Sequence, residues 1–238
     1  MTTRERKVAA ARAASTTTQD HRRQSIIGGV VVAVLVVAVG IGAIVQAQRN
    51  STSSTAPAGT SGTANQTIAI GAAGAAVTVT VYEDFQCPAC KNLHDGSAAS
   101  LASLVDKGTV RIEYRPIAFL DRFSSTEYAT RALNTAACVV NAKPAAFTAF
   151  HGLLFDNQPA ENTPGLTDAK LAELAAEAGA PGLSTCINER TFGDWTKRVT
   201  DQASKDKINS TPTVLVNGTV LQDTSPAGLT TAVTSAGG

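Results

Sequence analysis

The chain has 238 residues, 43% hydrophobic but only 5% aromatic, enough to fill a core of ordinary domain size mainly with Ala, Val and Leu. Its formal charge of +1 divides into +4 over residues 1–25 and −3 over the remainder. A slightly acidic main body carries no basic nucleic-acid surface, which excludes that class of partner.

Arg4, Arg6, Lys7, Arg12, Arg22 and Arg23 give the tail 1–25 its charge, and "IIGGVVVAVLVVAVGIGAIV" (26–45) follows with no polar side chain over twenty residues. A helix of that length spans roughly 30 Å, one bilayer core. The pattern predicts a single-pass transmembrane helix in the cell membrane, and the basic excess before it puts the N-terminus in the cytoplasm and the rest outside. Val45-Gln46-Ala47 also resembles a signal cleavage site, so cleavage after Ala47 is the alternative, although signal peptides use only about 7–15 apolar residues. Both readings export the remainder. Residues 46–65, which include "RNSTSSTAPAGTSGTAN" (49–65), read as a flexible linker.

"TIAIG" (67–71) and "VTVTVYEDF" (77–85) read as strands, Pro88 to Val105 as a helix closed by Gly108, and "TVRIEYRPI" (109–117) as a further strand. A helical block occupies about 121–207. Ser124 and Glu127 have capping-box spacing, with Phe123 and Tyr128 placed as a staple, which predicts a helix from there to Asn141. A second helix is expected near Pro144, a third capped by Thr167 and ending at Gly179, and a fourth carrying Trp195 and Val199. "PTVLVNGTVLQ" (212–222) predicts a hairpin turning at Asn217-Gly218, followed by a short helix from Pro226. Strand, helix, strand, helical insertion, hairpin, helix makes 66–238 an α/β domain: a mixed central sheet flanked by helices.

The chemistry concentrates in "YEDFQCPACKNLH" (82–94). A helix beginning at Pro88 has proline where a missing N–H costs nothing, and it sets Cys87 at the N-cap, where orphan N–H groups and the helix dipole favour a thiolate. Cys90 lies one turn further in and more shielded, as an attacking and a resolving thiol require. A permanent staple is the bland alternative, but so short a loop contributes only about 2 kcal/mol. A zinc clip needs four ligands or three plus water, and His94 is the one nearby third candidate, so no metal is expected.

With these residues in view, the chain resembles the membrane-anchored group of DsbA-like thioredoxin-fold disulfide oxidoreductases. "FQCPACKNLH" (85–94) at a strand-to-helix junction, the helical insertion, and "STPTVLVNG" (210–218) carry the likeness. It implies a thioredoxin fold, Cys87 as nucleophile, Cys90 as resolving thiol, and a cis Thr211-Pro212 bond facing them, where the Thr211 backbone pairs with an extended substrate. A proline opening a strand leaves neighbouring backbone groups unpaired, which suits that role.

Two departures bear on the redox poise. Pro88 and Ala89 separate the cysteines, whereas the strongest oxidants of the family carry His in place of Ala89. Thioredoxins bury an acid six residues before the first cysteine; here Val81 stands there, and Glu83 is either a displaced equivalent or a solvated strand-end charge. The expected potential is therefore intermediate, roughly −250 to −130 mV.

Cys138 falls inside a predicted helix and Cys186 in a turn-like "GLSTCINE" (182–189). In an exported chain they are expected to form a structural disulfide, with two buried free thiols as the alternative. His151 reads as a core or surface residue, and Trp195 as a core anchor. The Asn-x-Ser/Thr patterns at Asn50, Asn65, Asn209 and Asn217 read as unused. The resulting expectation is an enzyme that introduces disulfides into reduced exported proteins without a cofactor beyond its own cysteine pair. The resemblance implies a membrane quinone-linked reoxidant of the DsbB or vitamin K epoxide reductase-like type. Reductase or isomerase activity, or a non-catalytic disulfide-stapled binding domain, are the alternatives.

Overall fold

The structure, a computed structural model, describes residues 55–62 and 65–237. The basic tail, the apolar segment 26–45, Ala47 and Asn50 lie outside the described residues, among which no helix is long and apolar enough to cross a membrane.

A five-stranded sheet organises the chain: β1 (Ile68–Ile70), β2 (Val77–Glu83), β3 (Val110–Pro116), β4 (Thr213–Val216) and β5 (Thr219–Val220), in the spatial order β1-β3-β2-β4-β5. β2 runs parallel to β3 and antiparallel to β4, with Val79 opposite both Ile112 and Val216. As the central strand it is buried on both faces, so a near-continuous β-branched run suits it. Val77, Val79 and Val81 meet Leu93 and Leu101 of α1 (Pro88–Asp106) and Leu229 and Val233 of α7 (Pro226–Ser235). On the other face Tyr82 packs with Leu215 and with Ala203 of α6 (Gly193–Lys205). Gly96 lets α7 approach α1, because a Cβ there would overlap the Pro226 ring. At the hairpin Asn217 and Gly218 have φ of 47° and 79°, as a type I′ turn demands. The Asn217 side chain accepts the Thr78 N–H at 2.8 Å, tying the turn to the start of β2.

Between β3 and β4 lie α2 (Tyr128–Ala142), α3 (Phe147–Asp156), α4 (Asp168–Glu177), α5 (Ser184–Asn188) and α6. Twelve of the fifteen residues of α2 are buried, which makes it the hub of the insertion. Its alanines admit neighbouring helices closely, and the scarce aromatics gather here: Tyr128, Phe147, Phe150 and Phe155 share one cluster with Phe85. The insertion core is thus richer in aromatic rings than the overall composition suggests.

Several sequence expectations need correction. The Ser124–Glu127 capping box does not form: Glu127 sits at the N-cap in the left-handed region, φ 54°, with no side-chain capping bond. The Ser124 hydroxyl instead accepts the Thr126 and Tyr128 N–H groups, and the Asp121 carboxylate takes the N–H and hydroxyl of Thr130, so the helix begins only at Tyr128. A short 3-10 turn, Pro144–Ala146, precedes α3. Cys186 lies in α5 rather than a turn.

The linker assignment of 46–65 extends too far. Ala58 N–H donates to the Asn141 side chain at 3.1 Å, Ser61 pairs with Thr67, and the Trp195 indole donates to the Asn65 carbonyl at 3.0 Å. Ala56 packs against the cluster around Trp195, and Gly59 lies so close to Val140 that no side chain would fit. Composition reads this stretch as coil, yet its small residues are what allow it to lie flat against α2 as a strap.

Candidate redox site

The last residues of β2 and the junction after it are buried from Val81 to Cys87, and α1 opens immediately beyond. Proline at the first helical position fixes the start, and Cys87 at the N-cap has extended backbone, φ −80° and ψ 117°. Its N–H donates to the Asp84 carbonyl, and its own carbonyl accepts the Lys91 N–H, so the residue is held on both sides. Pro88 and Ala89 are exposed while the two cysteines are not.

Both Cys87 and Cys90 are free thiols in this structure. The Cys87 thiol is pulled down to about 6, first by the Cys90 thiol donating to its sulfur and next, against the opposing effect of burial, by the Thr211 side chain and the amides of Cys90 and Ala89. The helix amides thus favour the thiolate without forming a full capping bond to the sulfur. The Cys90 thiol, 2% exposed, is pushed far up by burial and then by the neighbouring Cys87 sulfur, with Glu83 adding in the same direction. One cysteine is poised as an anion and the other as a neutral thiol.

The Thr211-Pro212 bond is cis, and the Thr211 carbonyl accepts from the Cys87 thiol at 3.3 Å. Pro212 lines a cavity of about 20 Å³ together with Cys90, Glu83 and His151. Cys87 itself lines a separate groove of about 430 Å³, together with Phe119, Leu120, Arg122, Glu161, Ile208 and Thr211. The groove holds the exposed approach to Cys87.

Glu83 is not a solvated strand-end charge: it is 3% exposed and its Oε1 lies 2.7 Å from Nε2 of His151. Asp84 is fully buried, accepts the N–H groups of Gln86 and Leu120 at 2.9 Å each, and is raised by burial to about 7. His94 stacks on Phe155 and touches the His151 ring, and burial followed by that imidazole lowers its proton affinity. No group of three or more His, Cys, Asp or Glu among the described residues could hold a metal ion.

Two contributors escaped the sequence reading. His151 reaches the site from α3, sixty-eight positions from Glu83. Gln158, just past α3, donates to the carbonyls of Phe85 and Cys87 at 3.0 Å each and so clamps the strand-to-helix junction. Neither stands near a cysteine or an acid cluster in the sequence. Away from this site Cys138 and Cys186 are bonded, with Cα atoms 6.1 Å apart, beside Trp195, Leu133 and Ile187.

A family model described as Thioredoxin matches residues 63–235. Among solved structures the chain is similar to the reduced disulfide bond oxidoreductase DsbG of Mycobacterium tuberculosis, 34% identical, covering 74% of this chain and 89% of that one at a TM-score of 0.65. Disulfide bond formation protein D of Bacillus subtilis is 28% identical over 65% of this chain and 69% of its own length. The serine/threonine-protein kinase PknE of Mycobacterium tuberculosis is 33% identical over 52% of this chain, and the match spans only 23% of the kinase.

Proposed function

Since the chain belongs to the thioredoxin family, in its DsbA-like branch of disulfide oxidoreductases, we propose that it introduces disulfides into exported proteins through Cys87 and Cys90. The observation that carries this reading is the opposed tuning of the two thiols, Cys87 lowered to about 6 and Cys90 raised. In the oxidised enzyme a substrate thiolate attacks the Cys87 sulfur, which faces the groove. The Cys87–Cys90 bond breaks, a mixed disulfide forms, and Cys90 departs with the electron pair and takes up a proton. A second substrate thiolate then attacks the substrate sulfur and expels Cys87, a good leaving group because its thiolate is stabilised. The substrate dithiol loses two electrons and two protons, and the enzyme pair gains the electrons.

Thr211 beside Cys87 supplies a backbone edge on which an extended substrate pairs during the exchange, with Pro212 leaving that edge open. Pro88 and Ala89 form the exposed rim, and Ala89 offers no imidazolium to the thiolate, so the enzyme is a milder oxidant than His-bearing relatives. Residues 26–45 anchor it, with the N-terminus in the cytoplasm and the catalytic domain outside. Its reoxidant is a membrane quinone-linked protein of the DsbB or vitamin K epoxide reductase-like type.

Equilibration of residues 55–238 in glutathione buffers, read by mass spectrometry after acid quench, tests the reading. A potential of roughly −250 to −130 mV is expected, and a value below about −300 mV marks a permanent bridge and ends the oxidase reading. Cys90→Ala should accumulate a mixed disulfide with a reduced, unfolded substrate protein.

A further inference from the structure

Cys90 poses a problem that the cysteine pair does not solve by itself. Each passage between its disulfide and thiol forms requires a proton to enter or leave a group that is 2% exposed. A cavity that it lines holds about 20 Å³, room for about one water molecule. Glu83, His94, Tyr114 and His151 share that wall.

Their arrangement forms a line. Glu83 at the end of β2 is paired with His151 of α3 at 2.7 Å, both side chains almost fully buried. The His151 ring meets the His94 ring of α1 edge-on, centroids 5.0 Å apart, and lies 4.4 Å from the Tyr114 ring of β3. His94 is the half-buried member, so the line ends toward solvent. The titratable groups facing the two imidazoles are Glu83 from β2, Cys90 and Asp95 from α1, Tyr114 from β3 and Asp156 from α3. Asp84 points elsewhere, to the Gln86 and Leu120 amides.

A buried carboxylate paired with an imidazole at hydrogen-bond distance exchanges a proton internally without creating net charge, which a lone buried acid cannot do. We propose that His151, with His94 as the outlet to solvent, carries the proton that Cys90 gives up and recovers. Resting on the oxidoreductase reading above, this assigns the helical insertion a direct part in the redox step. When Cys90 attacks a mixed disulfide on Cys87, its S–H bond breaks, the S–S bond to Cys87 forms, and the substrate sulfur leaves with the electron pair. The proton passes by way of the cavity to the Glu83–His151 pair and leaves through His94. In the oxidising direction the same pair returns a proton to Cys90 as it departs from Cys87. His151 and His94 act through Glu83 and the cavity rather than on sulfur, and so are positioning and relay residues.

The test isolates the resolving step. The full chain is loaded with glutathione on Cys87, and closure to the Cys87–Cys90 disulfide is followed from pH 4 to 9 by acid quench and mass spectrometry. The parent protein should show a rate that rises through a titration and then levels, as an internal base saturates. H151Q keeps a donor for Glu83 but cannot carry a proton, and its rate should fall by about 10²-fold at pH 7 and climb tenfold per pH unit without levelling. H94Q, at a half-buried position, should move the profile the same way by a smaller factor, and decides the matter if H151Q does not fold. Profiles of folded H151Q and H94Q that superimpose on the parent, or a parent profile that never levels, overturn the assignment. Failure of the parent to form the glutathione adduct or to close it at any pH would instead strike the oxidoreductase reading.

Discussion

Replacing Cys90 by Ala removes the largest cause of the lowered Cys87 thiol, the hydrogen bond from the Cys90 side chain, and leaves burial opposed only by Thr211 and two amides. With the thiol at about 6, half of Cys87 is thiolate at pH 6. An ordinary cysteine near 8.5 is only about 0.3% ionised there, a ratio of roughly 150 in attacking species. A less basic sulfur is also a weaker nucleophile, and over that interval the loss is roughly tenfold, which leaves a net advantage of about tenfold. Iodoacetamide labelling of the reduced domain, quantified by mass spectrometry from pH 4 to 9, measures this directly because Cys90 is shielded and Cys138 and Cys186 are bonded. The parent profile should inflect near pH 6, and that of Cys90→Ala should inflect higher and be slower at pH 6. A parent inflection at or above pH 8, or an unmoved inflection in the variant, would refute the argument that Cys90 sets the reactivity of Cys87.

Three further outcomes follow from the same groups. The Cys87 thiol sits lower in the folded chain than in the unfolded one, so it stabilises the reduced form fully above about pH 8.5 and less as pH falls through about 6; the Tm of the reduced domain minus that of the oxidised should shrink from pH 8.5 to 5, and a constant difference would contradict the shift. Asp84 is raised to about 7, so its contribution is fully present below about pH 4 and lost as pH rises through 7; urea midpoints should decline between pH 5 and 8 in the parent and flatten in Asp84→Asn. The Cys138–Cys186 bond, spanning 48 positions, should be worth about 4 kcal/mol in guanidinium unfolding, and the double Ala variant should keep disulfide exchange; lost exchange at unchanged stability would mean the catalytic pair is misassigned.

What could be read along the chain and what could not divide by the range of the interaction. The strands, the helix opening at Pro88, the Thr167 cap and the Asn217-Gly218 turn depend on neighbours within a few positions, and residue pattern carries them. The failed cap at Glu127 shows the limit: Ser124 accepts the Tyr128 N–H from three residues ahead of the actual N-cap, Asp121 accepts the Thr130 N–H from outside the box, and only the folded chain reveals this arrangement. The strap at 55–62 has the composition of a linker, and its place depends on α2 offering a surface flat enough for Gly59. Glu83 was open between two environments because nothing near it in sequence is basic, while its partner comes from α3.

That partner shows why the insertion is not an ornament on a thioredoxin half. Without α3, Glu83 would keep its place at the end of β2 and lose the imidazole 2.7 Å away, leaving a buried carboxyl group without its hydrogen-bond partner at a cost of roughly 1–3 kcal/mol. Gln158 would no longer meet the carbonyls of Phe85 and Cys87, and Phe85 would lose its tilted contact with Phe155. Each loss falls within a few residues of Cys87. The sheet supplies the strand that presents the cysteines, but the junction holding Cys87 against Thr211 is closed from the insertion side. The insertion's helices therefore set the geometry of the thiol pair as well as shaping the groove beside it.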